Sequence, residues 1–195
     1  MAERPLDDDI ASLTPVEDGV DHVRGKIDAP AVLVEYGDFE CPYCGQAYGV
    51  VRSLERNFGE DLAIVFREYP VPRVHPHAYF AALAAEAAAA SGRFWEMHDQ
   101  LFTHQDALTD ADLRRHASAV GVSPDEVVRP ASEAYAERVR RDQASGDASR
   151  IPGTPSFFLN GRPLDRIDER SLTDEIRAVL TPDDAPREPG PAPTV

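Results

Sequence analysis

The stretch "AVLVEYGDFECPYCGQAYGVV", residues 31–51, contains both cysteines of this 195-residue chain. Cys41 and Cys44 are three positions apart, a spacing that two randomly placed cysteines would show about one time in a hundred. Three interpretations are open: a redox dithiol, half of a metal site, or a short structural disulfide. The flanking pattern and the composition of the whole chain bear on the choice among them.

The two cysteines lie between a predicted strand and a predicted helix. Residues 31–37 are rich in apolar and β-branched side chains, and Glu35 is their one charged residue. This pattern predicts a strand buried on both faces, like a central strand of an α/β sheet. Proline is favoured at the first position of a helix, so a helix is expected from about Pro42 to Phe58.

The start of that helix predicts different roles for the two sulfurs. Unpaired N–H groups and the helix macrodipole stabilise a negative group there, and such sites lower the pKa of a cysteine from about 8.5 to between about 3.5 and 7.5. Cys44 lies one turn further along the same face, within reach of a disulfide but more shielded. Cys41 is therefore predicted to be the exposed attacking sulfur, and Cys44 the resolving one.

The rest of the chain predicts an α/β domain over residues 13–180 that is interrupted by a helical block. Within the block, helices are expected to begin at a Thr109 or Asp110 cap and at Ser123, and the final helix is expected to begin at Ser171. Polar or proline-rich tails are expected to be disordered at residues 1–12 and 181–195. The remaining predicted elements are a second strand at residues 62–69 and the inserted helical subdomain at about 75–146. They are followed by a hairpin at 156–167, with its turn at Asn160-Gly161, and by the last helix at 170–180.

The composition excludes several partners. The formal net charge is −15, whereas nucleic acid and anionic lipid require a cationic surface, so neither nucleic acid nor a membrane is an expected partner. The N-terminus has no apolar core of signal-peptide length, and no apolar run approaches the ~20 residues of a membrane-spanning helix. A cytoplasmic protein is therefore expected. A reducing compartment makes a purely structural disulfide a poor explanation of Cys41 and Cys44.

Three segments together carry a family resemblance. "VEYGDFECPYC", "HPHAYFAALAAEAAAASGRFWEMHDQLF" and "GTPSFFLNG" are similar to the DsbA-like disulfide oxidoreductases of the thioredoxin-fold superfamily, and the similarity runs from about residue 19 to 180. The resemblance implies an α/β, thioredoxin-like fold with an inserted all-helical subdomain. CPYC alone is less specific, because glutaredoxins also use it.

The resemblance also implies roles for further residues. Pro155 would be a cis-proline beside the active-site sulfurs, and the main chain at Thr154 would pair with an extended substrate peptide. Glu35 would relay the proton of the resolving thiol. The alternative for Glu35 is an edge strand on which its side chain points to water.

The side chains that flank Cys41 are candidates for substrate binding. Phe39, Pro42 and Tyr43 could form an apolar rim for polypeptide substrates, although Phe39 could equally be a core residue. The histidines have no paired spacing with cysteine that would indicate a zinc site, and they are interpreted as structural or surface residues: His75, His77, His98, His104 and His116.

The leading hypothesis is a thiol–disulfide oxidoreductase that acts on polypeptide or small-thiol disulfides and is recycled by a thiol or disulfide partner. It needs no metal or dissociable organic cofactor, since the cysteine pair is the redox group. Related dithiols span about −270 to −120 mV, so the sequence leaves the direction of electron flow open. The cytoplasmic expectation favours reduction or isomerisation. Two alternatives remain: a metal-binding module, and a peptide-binding regulatory module without redox turnover.

Overall fold

A computed structural model describes residues 13–128 and 134–181. The predicted tails lie outside these residues, apart from Thr181. The strands of the described part are β1 (His22–Arg24), β2 (Ala31–Gly37), β3 (Leu62–Glu68), β4 (Ser156–Leu159) and β5 (Arg162–Leu164). Its α-helices are α1 (Pro42–Phe58), α2 (Ala78–Ala89), α3 (Phe94–Phe102), α4 (Asp110–Ala119), α5 (Ala136–Ala148) and α6 (Glu169–Leu180).

The strands form one sheet in the order β1-β3-β2-β4-β5. β2 runs parallel to β3 and antiparallel to β4, whereas β1 and β5 pair antiparallel with β3 and β4 at the two edges. The prediction that β2 is a central strand is therefore confirmed. Its position explains the apolar sequence, because neighbours cover both edges and both faces of the strand.

The two faces of the sheet are buried by different parts of the chain. α1 and α6 cover one face, where they pack against strand residues such as Leu33 and Phe157. On the opposite face, Val34 and Phe158 pack with Leu13. The alternation along β2 therefore decides that Glu35, like Leu33, points to the α1 side.

The helical subdomain consists of α2 to α5, which lie between β3 and β4 in the sequence. Its apolar core includes α2, α3 and α4 and is continuous with Phe39, Phe66 and both cysteines. The alanine-rich α2 is buried along most of its length, because small side chains allow its neighbours to pack closely on every side. The subdomain thus forms one wall of the region around the sulfurs.

Local signals located most of the helices but not every end. α1 begins at Pro42 and ends at Phe58 as predicted. Thr109 caps α4 in a capping box with Asp112, which selects one of the two predicted caps. The predicted Ser171 cap of α6 is wrong: Asp168 is the cap, because its side chain reaches back to accept from the N–H of Ser171.

Two further differences concern short segments. Residues 123–128 form turns rather than the start of the helix predicted at Ser123, and residues 129–133 lie outside the description. β1 was not predicted, since three residues carry no recognisable period and the strand is defined by its pairing with β3. Within the described ranges, every helix falls short of the length and apolarity that crossing a membrane demands.

Candidate active site

The sheet register brings the two cysteines beside the loop that precedes β4. Tyr36 near the end of β2 lies opposite Ser156 at the start of β4, so residues 38–41 and Thr154 meet at the same end of the sheet. The sulfur of Cys41 lies 3.5 Å from the main-chain oxygen of Thr154, to which it donates when it is protonated. The Thr154–Pro155 peptide bond is cis, as the resemblance implied.

Cys41 occupies the N-cap position of α1, directly before Pro42. The pKa of its thiol is lowered to about 5, chiefly because the thiol of Cys44 donates a hydrogen bond to it and the N–H groups of Cys44 and Tyr43 add to this effect. The first turn of α1 contains no acidic residue that would oppose a negative sulfur. Cys41 is thereby set up to be a thiolate at neutral pH.

Cys44 has the opposite electrostatic environment. Its hydrogen bond to Cys41, its burial and the charge of Glu35 all raise the pKa of its thiol. Both cysteines are free thiols here. Cys44 is more shielded, as predicted, but the expected exposure of Cys41 is wrong: 3% of its surface is accessible and none of that of Cys44. The walls of the site therefore leave a substrate sulfur a narrow approach to Cys41.

Glu35 is a buried acid on the central strand. Its register partners are Phe66 on β3 and Phe157 on β4, so apolar rings flank it on both sides. Its Oε1 has no hydrogen-bond partner within the described residues. Burial, followed by the negative charge of Cys41, raises the pKa of the carboxyl to about 8. The alternative of an edge strand with Glu35 in water is therefore wrong, and burial together with the charge of Cys41 favours the protonated form of the carboxyl in the reduced chain.

Phe39 is a core residue and does not belong to an exposed rim. Its side chain is fully buried, and its ring lies 5.4 Å from that of Phe66 and 4.9 Å from that of Phe102. The predicted role of Phe39 in substrate binding is therefore wrong, because the inserted helices cover this position. Tyr43, in contrast, is 66% exposed beside the sulfurs. Pro42 is exposed as well.

Acidic side chains on either side of Phe39 attach the loop to the start of the helical subdomain. Asp38 accepts from the N–H of Val71 and lies 2.8 Å from the ring Nδ1 of His75. Glu40 accepts from the N–H of His77 at 2.6 Å and lies 2.8 Å from its ring Nδ1. These contacts agree with the structural interpretation of both histidines. They also turn the Glu40 carboxylate towards the start of α2, even though Glu40 is the residue directly before Cys41 in sequence.

Gln105 contacts the nucleophile loop and was not identified from the sequence. Its side-chain nitrogen donates to the main-chain oxygens of Phe39 at 2.8 Å and of Cys41 at 2.9 Å. A glycine in the first turn of α1, Gly45, was the one local signal of a close neighbour. Within residues 13–128 and 134–181, no cluster of three or more His, Cys, Asp or Glu side chains is arranged to hold a metal ion.

Comparison with known proteins agrees with this geometry. A sequence model of the thioredoxin family matches residues 17–180. The chain belongs to this family. Its fold is DsbA-like: oxidised BdbD from Bacillus subtilis superposes with a TM-score of 0.78 and 24% identity, over 89% of this chain and 99% of that one. A thioredoxin-like oxidoreductase from Silicibacter pomeroyi superposes with a TM-score of 0.70 and 26% identity, over 84% of this chain and 95% of that one.

The similar curated sequences are segments of much longer proteins. A Na(+)/H(+) antiporter NhaA 1 from Mycolicibacterium vanbaalenii is 48% identical over 152 residues, which cover 76% of this chain and 25% of that protein. A second NhaA 1, from Mycolicibacterium gilvum, is 47% identical over 153 residues, or 77% of this chain and 25% of that protein. The DsbA-like chain thus spans about a quarter of the length of these relatives.

Proposed function

We propose that this DsbA-like chain is a thiol–disulfide oxidoreductase whose redox group is the Cys41–Cys44 dithiol. One observation carries the proposal: Cys41 is the N-cap of α1, its pKa is lowered to about 5, and the thiol of Cys44 donates to it. A stabilised thiolate with a second thiol within bonding reach is the arrangement that disulfide exchange needs. No other redox group is required.

The first step is attack by the Cys41 thiolate on one sulfur of a substrate disulfide. A bond forms between that sulfur and Cys41, the substrate S–S bond breaks, and the other substrate sulfur leaves as a thiolate that takes a proton from solvent. The carbonyl of Thr154, 3.5 Å from the Cys41 sulfur, lies where the main chain of an extended substrate could pair. Thr154 and Pro155 are therefore proposed to bind substrate.

The second step is resolution of the mixed disulfide by Cys44. Glu35 first releases its own proton to solvent, and the thiol of Cys44 then gives its proton to the resulting carboxylate. The Cys44 sulfur attacks Cys41, the Cys41–Cys44 disulfide forms, and the substrate leaves as a thiolate, having gained two electrons in all. In the mixed disulfide Cys41 has no negative charge, which removes one cause of the raised pKa of Glu35. The hydrogen bond from Cys44 to the Cys41 thiolate, which raises the pKa of Cys44, is absent as well. The first change increases the fraction of Glu35 that is a carboxylate and can accept a proton, and the second makes the Cys44 thiol a stronger acid.

Exposed apolar residues favour polypeptides as substrates, with small-thiol disulfides as a second class. Tyr43 is 66% exposed and Val74 is 68% exposed. Val74 belongs to the turn that Asp38 holds through the N–H of Val71 and the ring of His75. A separate thiol or disulfide partner restores the starting state. Reduction or isomerisation in the cytoplasm, rather than oxidation elsewhere, stays a prediction.

Turnover with reduced and oxidised substrates tests the proposal. Wild type is expected to reduce insulin disulfides with a small-thiol reductant and to oxidise a dithiol peptide when supplied as the disulfide. Cys41→Ser is expected to abolish both reactions, and Cys44→Ser to accumulate mixed disulfides at Cys41 that mass spectrometry identifies. Absence of turnover together with near-stoichiometric zinc in the purified protein would overturn the proposal in favour of a metal-binding module.

The curated relatives favour a second candidate, a regulatory module that acts on a membrane cation antiporter. The supporting observation is the 48% identity with a segment that makes up a quarter of a Na(+)/H(+) antiporter. Antiport by vesicles that contain such a transporter without this segment is expected to change on addition of the chain. An equal change with the Cys41→Ser/Cys44→Ser variant would indicate regulation by binding rather than by disulfide exchange.

A further inference from the structure

The Gln105 side chain bridges two main-chain carbonyls of the loop that carries the nucleophile. Its nitrogen lies 2.8 Å from the oxygen of Phe39 and 2.9 Å from that of Cys41. Two carbonyl oxygens can be paired with the NH₂ end of the amide but not with its oxygen, which fixes the orientation of the group. Gln105 lies just beyond the end of α3, so this contact connects the helical subdomain directly to the nucleophile.

The bridge adds to the first main-chain hydrogen bond of α1. The carbonyl of Cys41 accepts from the N–H of Gly45 at 3.1 Å and also from Gln105. The main chain at Cys41 is therefore held from the helix side and from the subdomain side. The position of the sulfur relative to the N–H groups of Tyr43 and Cys44 depends on this main chain, and those groups help to stabilise its negative charge.

Gly45 supplies an independent indication that the contact is a built feature. A Cβ at this position would overlap Oε1 of Gln105 and would lie 2.7 Å from its Cδ. Glycine is unfavourable within a helix, and α1 nevertheless has it in its first turn. α1 also contains Gly49, where a new Cβ would meet nothing, so within this helix glycine is sterically required at position 45 alone.

We infer that Gln105 is a positioning residue that fixes the main chain around Cys41 and so sets the reactivity of this sulfur. The inference deepens the proposed function and rests on it, since it gives the inserted subdomain a part in the exchange reaction. Gln105 acts through the carbonyls of Phe39 and Cys41 and does not touch the substrate.

The test removes the amide in two independent ways. Gln105→Met keeps the length of the side chain without its N–H donors, and Gln105→Ala removes the side chain. Gly45→Ala leaves Gln105 in place but displaces it sterically from the other side. Gly49→Ala is the matched control, because it makes the same change in the same helix where a new Cβ meets nothing within 4 Å. The readouts are the pH profile of Cys41 alkylation in the reduced protein, its rate of attack on a small aromatic disulfide, and thermal unfolding.

Three variants, Gln105→Met, Gln105→Ala and Gly45→Ala, are each expected to move the alkylation profile of Cys41 to higher pH. Each is also expected to slow attack on the aromatic disulfide about three- to tenfold, the effect of losing one or two hydrogen bonds. Gly45→Ala/Gln105→Ala is expected to lose no more than the greater of its single variants, since both act on the same contact. Gly49→Ala is expected to leave the profile and the rate unchanged.

An unchanged profile and rate in the Gln105 variants would overturn the inference, and so would a loss in the double variant equal to the product of the two single losses. Alkylation needs no catalytic turnover. A wild-type chain without turnover would therefore refute the proposed function, while the alkylation profiles would still report whether Gln105 positions Cys41.

Discussion

The sulfur of Cys41 lies 3.5 Å from the main-chain oxygen of Thr154, although 113 positions separate the two residues in sequence. The sheet makes this contact, because the antiparallel pairing of β2 with β4 brings the end of one strand beside the start of the other. An extended chain that paired with the Thr154 carbonyl would present its own sulfur to Cys41. The nucleophile and the proposed substrate-binding loop therefore form one site.

Glu35→Gln is expected to slow resolution of the mixed disulfide without slowing its formation. The amide fills the same buried space but cannot accept the proton of Cys44. Base catalysis typically contributes at least about 100-fold, so a loss of about 10- to 100-fold is expected when solvent can partly replace Glu35. Single-turnover mass spectrometry separates the two steps. Equal slowing of both steps, or of neither, would argue against a proton relay.

The raised pKa of Glu35 predicts a pH-dependent stability. The carboxyl has a pKa of about 8 in the folded chain against 4.5 when unfolded, so between these values the folded state holds a proton that the unfolded state has lost. The contribution of this proton to the free energy of unfolding is complete below about pH 4.5. It is lost as the pH rises towards 8, at up to about 1.4 kcal/mol per pH unit.

The lowered pKa of Cys41 makes stability rise with pH, which opposes the effect of Glu35. The stabilities are therefore best compared between Cys41→Ser and Cys41→Ser/Glu35→Gln. Burial, the larger cause of the Glu35 shift, is present in this background. Denaturant unfolding from pH 5 to 8 is expected to show the Glu35 variant gaining stability relative to its parent as the pH rises. Parallel stability curves would show that Glu35 titrates normally.

Replacing the exposed apolar residues is expected to impair exchange with proteins selectively. Tyr43→Ser/Val74→Ser removes two exposed apolar side chains: Tyr43, which lies between the cysteines in sequence and is 66% exposed, and Val74, which is 68% exposed in the turn that Asp38 holds. The loss of apolar contact predicts a decrease of about three- to tenfold in kcat/KM for insulin, with no change for a small aromatic disulfide. Tyr43→Phe is the matched control and is expected to retain activity on insulin. An equal effect on both substrates would contradict a role in polypeptide binding.

Phe39→Ala is expected to destabilise the fold. The ring is fully buried against Phe66 and Phe102, and removing such a side chain typically costs about 3–5 kcal/mol. Tyr43→Ala, at an exposed position four residues away, is expected to change stability by no more than about 0.5 kcal/mol. Denaturant unfolding of the reduced proteins measures the difference. Similar stabilities of the two variants would contradict a core position for Phe39 and favour a role in substrate binding.

Local chemistry made much of the fold predictable. The apolar run of β2 and the proline at the start of α1 act within a few residues, and both elements have their predicted bounds. Asp168 and Ser171 are both good capping residues, and the choice between them depends on which side chain reaches the free N–H. β1 depends on its partner strand, for which three residues of sequence give no pattern.

The site was predictable where motif and topology coincide, as they do for Cys41 and Cys44. The burial of Phe39 depends on Phe102 in the inserted subdomain, which packs against its ring. The contact of Gln105 with the same loop likewise joins residues 64 and 66 positions apart. Such contacts are set by the packing of the subdomain against the sheet, and a pattern within one segment does not contain them.

The pKa of Cys41 is the most direct test of the proposed chemistry. The reduced wild-type chain would be alkylated over a range of pH, with mass spectrometry assigning the modified sulfur. The expected midpoint for Cys41 is about pH 5, and Cys44 is expected to stay unmodified through neutral pH. A midpoint near 9, the ordinary value for cysteine, or equal modification of both sulfurs, would contradict the account.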